Sequence, residues 1–390
     1  VASLAQTLDD HVHDRTYYQV GADMRLIESG EAVSTGALGD AVDSVQPPAE
    51  ADGPRWYFLP VDEHVQIAGV QAAARVGRYR AFATMSGGWR KGTFLGIDRA
   101  DFPHVAFWRH DFSPTNLIAL TNRLAVTRNG VLVPRSFMAR HALDVGDAFR
   151  LAVDTYGQRT EMDLEIVGHF DFFPTWYPDE ENVLFVGNLE HLFEAAGSRL
   201  PYEVWLETAP GADYDQIVAD VRAKQVVVQM WRAAEPRLSS ERQRPDRQGI
   251  LGLLSVGFMA AAILTIIGFL LYVLFSFRRR FIEMGILRAI GLSAGQMAGF
   301  LAWELAFLAL TGLGAGTGFG VGISELFIPY LQVGSDLAAQ TPPFAPQVAW
   351  PAVLRVYALF GLMFALALGM LTVLLLRLRI FQAVKLVETT

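Results

Sequence analysis

Three long stretches in the C-terminal third of the chain carry almost no charge, and they limit its fold more than any other feature. Gly249–Phe277 has no charged residue over 29 positions, Met297–Ile323 has only Glu304, and Val356–Leu376 has none. About 20 apolar residues suffice to cross the hydrocarbon core of a bilayer. Three such runs in so short a distance predict membrane-spanning helices at 249–277, 297–323 and 352–376. Composition agrees: 18% of the residues are charged, where soluble proteins have about 25%.

The charge is divided between two regions. Residues 1–248 hold 24 Lys and Arg against 35 Asp and Glu, a net of −11, whereas residues 249–390 hold 8 against 5, a net of +3. The first region therefore reads as a large solvated domain, and its acidity argues against a nucleic-acid partner. The second carries its basic residues where they set topology. Arg278, Arg279, Arg280 and Arg288 lie in the segment 278–296, and Arg377, Arg379 and Lys385 lie in the tail 377–390. The segment 324–351 has no Lys or Arg and five prolines. By the positive-inside rule the first segment and the tail are cytoplasmic, the 324–351 loop is external and residues 1–248 are extracytoplasmic. Arg355, at the outer start of the third span, is read as a snorkelling side chain.

The second span contains glycine at every other position from Gly312 to Gly322. Gly312, Gly316 and Gly320 fall on one helical row, and small residues at this spacing let helix backbones approach closely in lipid. Glu304 is the charged residue of the same span.

Between the first two spans, Arg278–Met297 alternates apolar Phe281, Ile282, Met284, Ile286, Leu287 and Ile290 with Glu283 and Arg288. Gly291 supplies a helix stop and Ser293 an N-cap for the next helix. The pattern fits a short amphipathic helix at the cytoplasmic interface and equally an ordinary basic loop.

The run Glu283–Gly291, EMGILRAIG, resembles the E-x-G-[IVL]-L-[RK]-A-[IL]-G loop of the FtsX-like permease family, the family of MacB-, LolC- and LolE-type ABC transporter subunits. In that family a glycine-rich span follows the loop, as here. The tail Ile380–Glu388 is similar to the family's closing P-x-x-A-L-R-x-G-E but departs from it at Ile380, Val384 and Val387, and more mildly at Lys385. The resemblance implies an α-helical membrane domain joined to a mixed α/β extracytoplasmic domain with stalk helices, in the bacterial cytoplasmic membrane. It implies four membrane helices per unit, so processing or a further helix before Val1 is expected. It also implies that the loop couples to a cytoplasmic ABC ATPase dimer, with Glu283 and Arg288 as polar contacts, Met284, Ile286 and Leu287 as apolar ones, and Gly285 and Gly291 as the glycines of the coupling motif.

The ATPase is expected on a partner. A phosphate-binding loop needs G-x-x-x-x-G-K-[ST], and no Gly-Lys dipeptide occurs in the chain. The resemblance thus implies a permease that is not itself an enzyme and has no cofactor of its own, with ATP and Mg held by the partner. A second permease half or copy would complete the complex. Motion would be transmitted to the outer domain for export or extraction of lipid, lipoprotein or peptide. The alternative is a scaffold that controls cell-wall hydrolases outside, in the manner of FtsX; a substrate-binding or hydrolase partner and membrane lipid are the further partners these readings bring.

Within the outer region, residues 2–18 have Leu4, Leu8 and Val12 at helical spacing, and Ser239–Gln248 is polar and helix-compatible except at Pro245. These two are expected to form the stalk. Asp147–Leu164 reads as a hairpin, Asn188–Ala196 as a helix, Glu203–Glu207 as a strand, Asp213–Lys224 as a helix and Val226–Met230 as a strand. A small α/β subdomain beside a β-rich one is expected. Two aromatic clusters, Phe107–Phe112 and His169–Pro178, read either as core packing or as a groove for lipid or a partner. The absence of cysteine excludes disulfides and thiolate metal sites. His11, His13 and Asp14 are too differently directed on a helix to form a convincing metal site.

Overall fold

The computed structural model describes residues 2–29, 31–33, 55–85, 87–155, 158–178, 182–243, 245–279, 283, 286–287, 290–327, 341–345 and 350–377. The closing motif Ile380–Glu388 and most of the 324–351 loop lie outside them. The chain divides into two compact units. One comprises residues 12–241 and 334–342, and the other residues 1–11, 242–333 and 343–390.

The first unit is a mixed α/β domain. In chain order it contains the end of α1 (Ala2–Val20), then β1 (Met24–Ser29), β2 (Glu31–Val33), β3 (Arg55–Tyr57), α2 (Val61–Val65), β4 (Val70–Met85), β5 (Gly88–Ile97), α3 (Phe102–Val105) and α4 (Leu117–Val126). It continues with β6 (Gly130–Pro134), α5 (Arg135–His141), β7 (Ala148–Thr155), β8 (Gln158–Phe170), β9 (Val183–Asn188), α6 (Leu189–Ala196), β10 (Glu203–Thr208), α7 (Tyr214–Ala223), β11 (Val227–Ala233) and α8 (Ala234–Arg242).

Local chemistry sets many of these boundaries. The Asn188 side chain caps α6 by accepting from the Glu190 N–H at 3.0 Å, and Gly197 closes that helix in the left-handed region at φ 71°. Asp213 caps α7 by accepting from the Asp215 and Gln216 N–H groups, both at 3.1 Å. Side-chain acceptors at this position satisfy amides that the helix itself leaves without partners.

Nine strands form one sheet in the order β11-β1-β10-β4-β5-β9-β6-β8-β7, and β7 pairs back onto β4. The 16-residue β4 makes this possible. One of its edges takes β10 along Val70–Val76 and then β7 along Arg80–Thr84. The strands β4, β5, β9, β6, β8 and β7 thus close a ring, with β10, β1 and β11 as an open extension. The two expected subdomains are therefore joined through one sheet, because β4 is long enough to serve both.

The sheet has a core on each face. Leu151, Val153, Leu164, Ile166 and Phe185 pack in one, together with α5, α6 and α7. Leu95, Ile97, Leu132, Leu184 and Val186 pack in the other, together with α3 and α4. Strand β9 feeds both, with Val183 and Phe185 on one side and Leu184 and Val186 on the other. Burial on both faces is why it is apolar at consecutive positions.

His141, His169 and His191, all partly buried, are expected to make this fold sensitive to acid. Burial, with Arg90 and Arg140 close by, holds His141 below the ordinary histidine range. Burial and Arg135 do the same to His169, against Asp171. Burial also lowers His191, although Glu194 opposes it. A lowered folded pKa means stability that is complete above the unfolded value of about 6.5 and is lost as pH falls through the folded value. The melting temperature of the purified chain is expected to fall between pH 7 and pH 5. Circular dichroism melts that coincide across this range would contradict it.

The second unit contains the first turns of α1 and three long helices, α9 (Pro245–Arg279), α10 (Ala294–Phe327) and α11 (Trp350–Arg377). Each is long and apolar enough to cross a membrane, over Ser255–Ser276, Gly295–Ser324 and Trp350–Met370. The stalk segment is broken: α8 ends at Arg242 and α9 starts at Pro245. Proline lacks an N–H and is tolerated in the first turn of a helix but not inside one. Arg242 donates to both oxygens of Asp9 at 3.2 and 2.8 Å, tying the start of α1 to the end of α8.

Candidate functional site

The segment between α9 and α10 is built by short-range rules. The Ile290 N–H donates to the Ile286 carbonyl, and the Leu292 N–H to the Leu287 carbonyl, both at 3.1 Å. Gly291 lies at φ 107°. A left-handed glycine with a bond from the residue after it back into the last turn closes a short helix. The next helix opens with a reciprocal cap. The Gln296 N–H donates to Ser293 Oγ at 3.3 Å, and the Ser293 N–H donates to Gln296 Oε1 at 3.0 Å. The predicted stop at Gly291 and N-cap at Ser293 are both present, and Gln296 completes a capping box.

The side chains of this segment face two ways. Leu287 and Leu292 pack against the small core of Val273, Met297, Leu301, Leu305 and Ala367. Ile286 and Ile290 are 56% and 73% exposed, and Glu283 is exposed as well. Leu287 therefore anchors the segment to the helices, and the exposed apolar pair is Ile286 and Ile290, four residues apart on one helical face. The family resemblance implied Leu287 as an apolar partner contact and did not include Ile290. Met284, Gly285 and Arg288 lie outside the described residues.

Glu304 is half-buried on α10 between buried Leu301 and Leu305. Further along α10, Gly312, Gly316 and Gly320 do not make the expected tight helix contact within this chain. A Cβ placed on any of them would meet nothing within 4 Å. Helices α10 and α11 are linked instead through Thr317 and Tyr357, whose hydroxyls are 2.6 Å apart. The glycine row is left on the wall of a groove of about 540 Å³ that is shared with Phe258, Ala352, Val353 and residues 355–357.

In the α/β domain the two aromatic clusters converge on each other. Phe112, Phe170 and Phe173 are fully buried. Phe112 takes the edges of Tyr18 and Trp108, and Phe173 contacts Phe102, Trp108 and Phe170. Arg109 sits over the Phe112 ring and donates to Asp14 and Asp111, each at 2.8 Å. Burial works against its charge, but these carboxylates outweigh it and raise the Arg109 pKa. The clusters are core packing with a charged clasp. His13 stacks on Tyr17, and His11 on Phe344. Among the described residues no group of three or more His, Asp or Glu is placed to hold a metal ion.

Residues 255–383 match the family described as FtsX-like permease C-terminal. No curated protein sequence matches the chain. Among solved structures, the extracellular domain of the noncanonic ABC-type transporter YknZ from Gram-positive bacteria is 15% identical, covers 41% of this chain and 74% of its own, and gives a TM-score of 0.27. The periplasmic region of MacB from Actinobacillus actinomycetemcomitans is 7% identical over 58% of this chain and 95% of its own, with a TM-score of 0.33. A domain assigned to a permease protein of Porphyromonas gingivalis is 14% identical over 54% and 81%, with a TM-score of 0.30. Such low scores do not carry the function of those proteins to this one. The match over 255–383 includes all three spanning helices and the capped segment between the first two, so the helical part of the chain is an FtsX-like permease C-terminal domain.

Proposed function

We propose that the chain is the membrane subunit of an ABC-type assembly, in which the segment 278–296 receives motion from a separate cytoplasmic ATPase. ATP and Mg belong to that partner, and a second permease copy or half completes the complex. The α/β domain lies outside the cytoplasmic membrane and acts there on lipid, lipoprotein or peptide. The observation that carries this reading is the two-sided character of the segment. Leu287 and Leu292 are rooted in the helix core while Ile286, Ile290 and Glu283 face away from it. An element rooted in three helices moves with them, and an exposed apolar pair beside a carboxylate is suited to a groove on a partner.

The test is co-purification of the chain from native membranes in mild detergent. A subunit with a Walker A sequence is expected at stoichiometric yield. Ile286→Asp with Ile290→Asp is expected to reduce that yield at least tenfold while leaving the melting temperature of the chain unchanged. Recovery of the wild-type chain without an ATPase, or of the double variant with a full complement, would overturn the reading.

A further inference from the structure

Four arginines line one small cavity of the α/β domain. Arg25 comes from β1, Arg78 from β4, Arg232 from β11 and Arg237 from α8, around a volume of about 360 Å³. This is unexpected in a region whose net charge is −11. Arg25 and Arg232 are also direct cross-strand partners in the sheet, a placement that costs stability for like charges. Such a cost is retained where an opposite charge is meant to enter.

The protein supplies little of that opposite charge. Glu203 is the carboxylate beside the cluster, and it is committed to Arg25, with contacts of 2.8 and 3.1 Å, and to the Trp205 indole at 3.3 Å. Arg78, Arg232 and Arg237 form no ion pair among the described residues. Arg78 lies deepest. Its Nη2 donates to the Thr175 hydroxyl, and its Nε is buried without a hydrogen-bond partner. Burial holds its pKa below the ordinary arginine range; Glu203 opposes the shift and Arg25 adds to it. A desolvated guanidinium beside a second one gains strongly from a bound anion.

The backbone at the cavity is strained as well. Thr175 has φ 67°, which is an outlier for a β-branched residue. It is held there by its N–H, which donates to the Tyr18 carbonyl at 2.8 Å, and this sets its hydroxyl against Arg78. Gln19 and Tyr177 add neutral polar groups to the wall. Strain of this kind persists where a site is pre-organised.

We propose that this cavity is a binding site for a phosphate ester, held by the Arg78, Arg232 and Arg237 guanidinium groups. Guanidinium forks match the tetrahedral oxygens of phosphate through paired N–H donors. The volume exceeds what a bare ion needs and is in the range of small-molecule pockets. A soluble phosphate ester and a phospholipid headgroup share this chemistry. The site does not depend on the ATPase reading above, because it involves no residue of the helical unit.

Calorimetric titration of the full chain in an uncharged detergent tests it. The probes are glycerol 3-phosphate and a short-chain phosphatidic acid, with glycerol as the uncharged control. At least one of the two phosphate esters is expected to bind and glycerol is not. Equal affinity for both esters identifies the phosphate as the determinant and a soluble source as sufficient. Binding of the lipid alone identifies a headgroup site. Arg232→Gln with Arg237→Gln, both exposed and outside the cores, is expected to weaken binding at least tenfold with no fall in melting temperature. Arg78→Lys, which keeps the charge but loses the fork, is expected to weaken it too. Failure of both esters to bind, or full-affinity binding by the double variant, would overturn the proposal.

Discussion

Valine at Gly21 is expected to destabilise the α/β domain by about 2–5 kcal/mol, a large share of the stability of an ordinary domain. Two costs add. Gly21 ends α1 at φ 98°, a conformation that a β-branched residue resists. A Cβ there would also lie 2.5 and 2.7 Å from Trp205 ring carbons and 2.9 Å from the Thr175 methyl. Neither neighbour can retreat easily, because Trp205 is fully buried and Thr175 is fixed by its bond to Tyr18. Thermal unfolding of purified wild-type and variant chains reads the effect. A Gly21→Val protein that melts within a degree of wild type would mean that Trp205 does not pack against this turn.

The second large effect is expected at a buried pair. His64 is completely buried and its Nε2 lies 2.7 Å from Glu28 Oε1, while the Glu28 side chain is 2% exposed. Glu28 Oε2 is buried and has no hydrogen-bond partner. His64→Ala removes the partner of the remaining carboxylate, and breaking such a pair from one side costs about 3–5 kcal/mol. Replacing both, with Glu28→Leu and His64→Phe, removes the polar groups together and is expected to cost far less. Denaturant unfolding of the two variants separates these cases. A double variant as damaged as His64→Ala would show that the loss is one of packing rather than of an abandoned polar group.

What could be read from the sequence follows the range of the forces involved. The three spanning helices were legible because a bilayer imposes its demand residue by residue. Asn188, Asp213, Gly291 and Ser293 were legible because a cap acts within four residues of itself. The hairpin at 147–164 was legible for the same reason. The order of the sheet was not, since the return of β7 to β4 joins residues about 70 positions apart. Nor could the pattern show that Leu287 turns inward while Ile290 turns outward, because both fit an amphipathic segment and their neighbours lie on other helices. The arginine cavity left no local trace. Its residues run from position 19 to position 237, and each of its arginines alone reads as a solvated surface charge.

The shared strand β4 has a mechanical consequence. The ring and the three-stranded extension are pinned to the same sixteen residues, with the partner strands β10 and β7 following one another along a single edge. The extension pairs with Val70–Val76 and the ring with Val76–Met85, so the two halves meet end to end along one strand, with Val76 common to both. A load applied at the β11 edge therefore reaches the ring along the covalent backbone of β4.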